Sequence, residues 1–228
     1  MLLALDTSTA SMGLALYDGV QVLGEMTWQS RAHHTVELAP AVATLFQRVG
    51  VDMADVGALG VALGPGSFTS LRVGLAFAKG LALARHLPIL GVPTLDVVAA
   101  ALEVQSLPLA AVLQAGRGRL AVVWYKAVEG FWQSQSEPQV TTAEALAQSI
   151  HRPTLVCGEL SAEERQRLAR KRSNVRLASP AQCVRRPAVL AELAWKRWRS
   201  LGMNQPGAES EARALAPIYL HVANPIPS

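Results

Sequence analysis

Apolar residues run along the chain first in short continuous stretches and then, between them, at helical spacing. Residues 2–5 are all apolar, the pattern of a strand covered on both faces. The polar cluster Asp6-Thr7-Ser8-Thr9 interrupts this pattern, and a second strand is predicted over 12–17. Asp18-Gly19 has the residues of a tight type I′ turn, so residues 20–28 are expected to return as a third strand. Leu38, Val42, Leu45, Phe46 and Val49 then recur at helical spacing, with Gly50 as a stop. Pro40 has no N–H to donate and is expected in the first turn of that helix or at a bend. A strand over 56–63, a Gly-Pro-Gly turn at 64–66 and a long helix over 69–86 follow.

The second half repeats the order. Strands are predicted over 109–113, 120–128 and 131–135, with glycine turns at Gly116, Gly118 and Gly130. Thr141 and Glu144, then Ser161 and Glu164, have capping-box spacing and each predicts a helix start, with a short strand over 154–157 between them. A last helix is expected over 188–201, after Pro187 and before Gly202. Each half reads strand, strand, strand, helix, strand, helix, and residues 88–108 hold one more short strand and helix. That order predicts two lobes, 1–105 and 106–228, each a mixed sheet with helices. It is the layout of the actin, Hsp70 and sugar-kinase superfamily.

Composition narrows the picture. Half the residues are apolar and 17% are charged, enough to bury a core and too apolar for a disordered chain. The first residues lack the basic and apolar regions of a secretory signal, and Arg72, Lys79 and Arg85 interrupt the longest apolar stretch. Cys157 and Cys183 form no C-x-x-C pair, so free thiols are expected rather than a disulfide or a metal site. The formal charge is +4, yet Arg165, Arg167, Arg170, Lys171, Arg172, Arg176, Arg185, Arg186, Lys196, Arg197 and Arg199 crowd the last third. Such a block can meet RNA phosphates, but with Glu163, Glu164 and Glu192 interspersed it reads first as a solvated helix face.

Two strings carry chemistry. In the first, Asp6, Thr7, Ser8 and Thr9 set a carboxylate and three hydroxyls at a strand end, where they can hold a metal-bound phosphate or merely satisfy the local backbone. The second begins Gly64-Pro65-Gly66-Ser67 and runs into the long helix, so its amides can meet an anion at the helix N-terminus. It lacks the G-K-[ST] of a Walker A loop and the G-x-S-x-G of a hydrolase elbow, and Ser67 reads as a helix cap.

Those strings, with Arg31-Ala32-His33, Gly91-Val92-Pro93-Thr94-Leu95 and Pro217-Ile218-Tyr219-Leu220, closely resemble the bacterial TsaB (YeaZ) family. The resemblance runs in order through nearly the whole chain and is tightest over residues 1–100. It implies an actin-like (ASKHA) two-lobe α/β fold without catalysis of its own. Family members support threonylcarbamoyladenosine modification of tRNA beside the anticodon, pairing with the catalytic subunit TsaD, together with the ATPase TsaE, and they form homodimers. The chain is therefore expected in the cytoplasm, with no required cofactor and with tRNA reached through the complex. Asp6, Thr7, Ser8, Thr9, Gly64, Gly66 and Ser67 would be a vestigial phosphate or nucleotide site. The sequence departs from the family at His34, Ser70 and His221, and at Gln114, where a carboxylate is usual. Gln114 removes a magnesium ligand opposite Asp6.

The long helix sets Leu71, Leu75, Ala78 and Ala82 on one face and Val73, Phe77 and Leu81 elsewhere, so it should be buried on more than one side. With Leu38, Val42, Leu45 and Phe46 it is expected to form an apolar patch for a second copy or a TsaD-like subunit. The rival enzyme reading is an actin-like ATPase or phosphotransferase using Asp6 and magnesium. A metalloprotease would need histidines at helical spacing, and His33 and His34 are adjacent.

Overall fold

A computed structural model describes residues 1–30, 33–171, 173–202 and 215–220. The chain forms two compact units, one of Met1–Val97 with Arg185–Ile218 and the other of Val98–Val184 with Tyr219–Ser228.

The first unit holds β1 (Leu2–Asp6), β2 (Ser11–Tyr17), β3 (Val22–Gln29), α1 (His34–Val49), β4 (Ala58–Ala62), α2 (Phe68–Arg85) and β5 (Ile89–Val92), from which the chain enters α3 (Thr94–Ala100). Its sheet has the order β3-β2-β1-β4-β5. β1 is antiparallel to β2 and parallel to β4, so the sheet is mixed as expected. The β2–β3 hairpin closes differently from a type I′ turn. Within it only Gly19 has positive φ, and the Asp18 carboxylate accepts from the N–H groups of Val20 and Gln21. A side-chain loop replaces the two positive-φ residues that a type I′ turn needs. Pro40 lies in the second turn of α1 on its exposed side, where water can serve the carbonyl that its missing N–H leaves free.

The second unit holds β6 (Leu109–Gln114), β7 (Leu120–Val128), β8 (Phe131–Ser134), β9 (Gln139–Thr141), α4 (Ala143–Ser149), β10 (Thr154–Gly158), α5 (Ala162–Ala169) and β11 (Val175–Leu177). Its sheet runs β11-β10-β6-β7-β8, with β9 also paired to β7. Ala110, Val112, Leu120, Val122 and Val156 pack against Leu146, Ala147 and Leu168 of α4 and α5. The capping box of α5 is complete at Ser161 and Glu164, whereas α4 is capped by Thr142 rather than Thr141.

The division at residue 105 needs correction. Helix α6 (Pro187–Ser200) returns to the first unit and covers the second face of its sheet. Side chains alternate in size across that sheet. Leu3, Leu5, Leu14, Leu16 and Leu59 point to the side of α1 and α2. Leu2, Ala4, Ala15, Ala58 and Ala62 meet Leu190, Ala191, Ala194 and Trp198 of α6. Alanines on that face let α6 sit close, and a Cβ at Gly60 would collide with the Ala194 methyl. A strand buried on both faces needs a helix on each, and the first hundred residues supply only one such layer. Among the described residues no helix is long and apolar enough to cross a membrane.

Candidate functional site

Asp6 ends β1, and the loop after it is held from several sides. Its carboxylate is buried and makes an ion pair with Arg185, equally buried, which precedes α6. The same guanidinium donates to Thr9 Oγ1 at 3.1 Å and to the Ser11 carbonyl at 2.8 Å. Ser8 N–H donates to Asp6 Oδ1 at 2.9 Å. Arg185 thus supplies the positive charge that a magnesium ion would bring to Asp6, from within the fold. Sequence reasoning counted Arg185 in the basic block and missed this role, because the partners lie 179 residues apart.

The hydroxyls beside Asp6 are engaged as well. Thr7 Oγ1 donates to the Ser70 carbonyl at 2.8 Å, and Ser8 Oγ and Thr94 Oγ1 share a hydrogen bond of 2.7 Å. Thr94 Oγ1 also accepts from Gly64 N–H at 2.9 Å, while Ser67 N–H donates to the Ser8 carbonyl at 2.7 Å. Ser67 caps α2 as expected, accepting from Ser70 N–H. Ile218 N–H donates to the Leu63 carbonyl at 2.7 Å, so the Pro217-Ile218 segment lies over the Gly64 turn. The structure does bring Asp6, Thr7, Ser8, Thr9, Gly64, Gly66 and Ser67 together, but they are bonded to one another and to Arg185. The Asp6 carboxylate is held by Arg185, and the Gly64 and Ser67 amides already donate within the fold, so this donor set does not fit a magnesium-bound phosphate.

The glycines here serve packing. A Cβ at Gly66 would strike the Ser8 carbonyl, and one at Gly74 would strike Thr7 Oγ1. Alanine normally favours a helix over glycine by about 1 kcal/mol. At position 74 the collision should win, and Gly74→Ala is expected to destabilise by about 1–3 kcal/mol. Thermal unfolding checks this; an unchanged or raised Tm would show that α2 does not depend on its close approach to Thr7.

At the matching strand end of the second unit, Gln114 Nε2 donates to the carboxylate of Glu164, itself buried and accepting from Ser161 N–H. Gln114, one of the departures from the family, is therefore part of a local network at the α5 cap. His34 bonds the Thr9 carbonyl through Nε2, and His33 faces Glu37, so the two rings serve different partners. Arg31 and Ala32 lie outside the described residues, as do Arg172 and His221. Lys79, which interrupts the apolar stretch of α2, donates to the Leu215 carbonyl at 2.8 Å.

Much of the basic block is likewise engaged within the fold. Arg165 donates to the Ala178 carbonyl, Arg186 pairs with Glu25, and Arg197 reaches Asp96 and the Gly91 carbonyl. The Glu25 carboxylate holds the Arg186 guanidinium above its ordinary pKa. Arg170, Arg176 and Arg199 are exposed.

The expected partner patch needs the largest correction. Leu38, Val42, Leu45, Leu71, Leu75, Ala78 and Ala82 are buried, and Phe77 is half-buried against the same core. The unit's own sheet covers this face, because α1 and α2 lie side by side on it. Their outer faces are what remains open: Val36, Ala39, Pro40 and Ala43 on α1, and Phe68, Ala76, Gly80, Leu83 and Ala84 on α2. Val36 is 66% exposed and Leu83 77%. Arg72, stacked over the Phe68 ring, is the one charged residue on α2 between Phe68 and Lys79. On these faces, Ala39 and Ala43 of α1 and Ala76, Gly80 and Ala84 of α2 are short and uncharged, so a facing helix can approach closely there.

Comparison with known proteins agrees with this architecture. The family model described as TsaD, tRNA N6-adenosine threonylcarbamoyltransferase, matches residues 21–183. The tRNA threonylcarbamoyladenosine biosynthesis protein TsaB of Escherichia coli (strain K12) is 38% identical over 98 residues, 43% of this chain and 42% of that protein. The protein of the same name from Bacillus subtilis (strain 168) is 36% identical over 99 residues, 43% of each chain. The chain thus spans less than half the length of these curated relatives. A solved Pseudomonas aeruginosa protein, described as having similarity to peptidase YEAZ, superposes with a TM-score of 0.75 at 25% identity, covering 96% of this chain and 99% of its own. Both units are mixed sheets with helices, an α/β fold shared with that solved protein. The chain is a member of the family that the TsaD model describes, on its TsaB (YeaZ) side.

Proposed function

We propose that this protein is a non-catalytic partner subunit in the threonylcarbamoyladenosine modification of tRNA next to the anticodon. It supports a TsaD-like catalytic subunit, together with a TsaE-like ATPase, in the cytoplasm, and tRNA is met through the assembled complex. The observation that carries this reading is the buried Asp6–Arg185 pair. An actin-like phosphotransferase uses a strand-end carboxylate to hold metal and phosphate; here that carboxylate is neutralised by the chain's own arginine. The rival ATPase reading therefore lacks its central group, and no nucleotide or metal is needed by this chain. The outer faces of α1 and α2 would dock the catalytic subunit, and a second copy of this chain would compete for the same surface.

The test is a reconstituted modification assay. Threonylcarbamoyl transfer to tRNA by the TsaD-like and TsaE-like proteins is expected to rise at least tenfold when this chain is added, and to be absent with this chain alone. Purified chain should hydrolyse ATP no faster than its Asp6→Ala variant. Hydrolysis abolished by that substitution would overturn the non-catalytic reading, and a transfer rate indifferent to the chain would overturn the partnership.

A further inference from the structure

Cys157 and Cys183 are 26 residues apart in sequence, yet their sulfurs lie 3.7 Å apart in the second unit. Cys157 lies on β10 and is fully buried. Cys183 is half-buried in the turn that follows β11, between the exposed residues Gln182 and Val184. Arg165 of α5 points Nη1 at Cys183 Sγ from 3.7 Å, and its Nη2 is anchored on the Ala178 carbonyl at 2.7 Å. A held guanidinium beside one sulfur, a second sulfur behind it and a residue only half-buried are the parts of a reactive dithiol.

We infer that Cys183 and Cys157 form a hydroperoxide-sensitive site, in which Cys183 is oxidised first and Cys157 resolves it to an intramolecular disulfide. The Cys183 thiolate attacks the terminal oxygen of a hydroperoxide. An S–O bond forms as the O–O bond breaks, and the leaving alkoxide or hydroxide takes a proton to depart as alcohol or water. Cys183 is then a sulfenic acid. Cys157 sulfur attacks it, the S–S bond forms, the S–O bond breaks, and hydroxide leaves with the Cys157 proton as water. The two thiols supply the two electrons that reduce the peroxide.

The electrostatics divide the roles in the same way. The charged and titratable groups facing Cys183 are Cys157 from β10 and Arg165 from α5. The hydrogen bond from Cys157 lowers the Cys183 thiol to about 6, with the Gly158 N–H and Arg165 adding to it against the cost of burial. The same bond, then burial, pushes Cys157 well above the ordinary thiol range. At neutral pH the outer sulfur is the nucleophile and the inner one stays protonated until the sulfenic acid forms.

Intact mass of the whole chain after dilute hydrogen peroxide at pH 7 tests this. The expected product has lost two hydrogens, is monomeric on a non-reducing gel and returns to the starting mass with dithiothreitol. Cys157→Ser should stop at the sulfenic acid, captured as one dimedone adduct on Cys183, and Cys183→Ser should give neither product. Iodoacetamide labelling of the untreated protein should modify Cys183 with a rate midpoint near pH 6. At pH 7 most of Cys183 is then thiolate against a few per cent of an ordinary thiol, and with the lower nucleophilicity of a low-pKa thiolate it should label about two- to threefold faster; Arg165→Met should move the midpoint upward. No loss of two hydrogens, a disulfide between chains, or a Cys183 labelling rate still rising through pH 8 would each overturn the assignment.

Discussion

Arg185→Met is expected to lower the stability of the first unit by about 3–5 kcal/mol, because it leaves the Asp6 carboxylate buried and unpaired. For a chain of this size that is a fall in Tm of roughly 10 °C. The substitution keeps the length and apolar body of the side chain, so the loss reports charge and hydrogen bonds rather than a cavity. Three further acceptors lose a donor with it, one each on Thr9, Ser11 and the Asp6 carboxylate. Asp6→Asn keeps an oxygen for the Ser8 N–H, yet strands Arg185 and should cost about as much. The double variant is the decisive member of the cycle. With neither charge present it should recover most of the loss, giving a coupling at least as large as one single loss, about 3 kcal/mol or more. Trp195 and Trp198, which pack edge-to-face beside Tyr17, report this unit by fluorescence once Trp124 and Trp132 of the second unit are replaced by Phe. A near-neutral Arg185→Met would mean that the pair contributes no closure, and Asp6 would again be available to a metal-bound phosphate.

Most of the secondary structure was legible because it is written in short range. The apolar runs of β1 and β4, the Ser161–Glu164 capping box and the glycine stop at Gly50 all act within a few residues. What escaped was non-local. Nothing near Pro187 in sequence says that α6 returns to the first sheet; the hint was that Ala4, Ala15, Ala58 and Ala62 leave room for a close-packed helix. Arg185 looked like one basic residue among many, and its partner is at the other end of the chain. Cys157 and Cys183 lack the spacing of a redox motif because a turn, not a helix, brings them together. The candidate phosphate residues were found in sequence, but their hydrogen bonds depend on Thr94, Ser70 and Arg185, which no local pattern joins to them.

The patch expected to dock a partner is buried in the core for an instructive reason. Spacing alone selects the most apolar stripe of α2, and in a helix on a sheet that stripe is the core. Leu71, Leu75, Ala78 and Ala82 follow this rule. The informative stripe is the opposite one, where a solvent-facing helix ordinarily carries charge and this one carries Ala76, Gly80 and Leu83. Leu75→Asp, placing a carboxylate in the core, should therefore unfold the unit, with a loss of about 4 kcal/mol or more.

Ala76→Asp and Leu83→Asp are expected to behave in the opposite way. Both positions are exposed in the isolated chain, so stability should change by about 0.5 kcal/mol or less. Association is another matter. A carboxylate forced into a helix-to-helix contact must be desolvated with no partner, and a substitution at the centre of such an interface costs about 2 kcal/mol or more, roughly thirtyfold in Kd. Carrying both substitutions together with Val36→Glu on α1, the chain should lose more than a hundredfold in affinity for the TsaD-like subunit. Self-association should fall in parallel if a second copy uses the same surface. Isothermal titration against the catalytic subunit and sedimentation of the chain alone measure the two losses, with Tm as the control for folding. Arg72, stacked on Phe68 at the N-terminal end of the face, gives the salt dependence: a contact made by the uncharged stripe should weaken little between low and high salt. A triple variant that folds, binds its partner unchanged and still raises threonylcarbamoyl transfer would remove the outer faces of α1 and α2 from the assembly altogether.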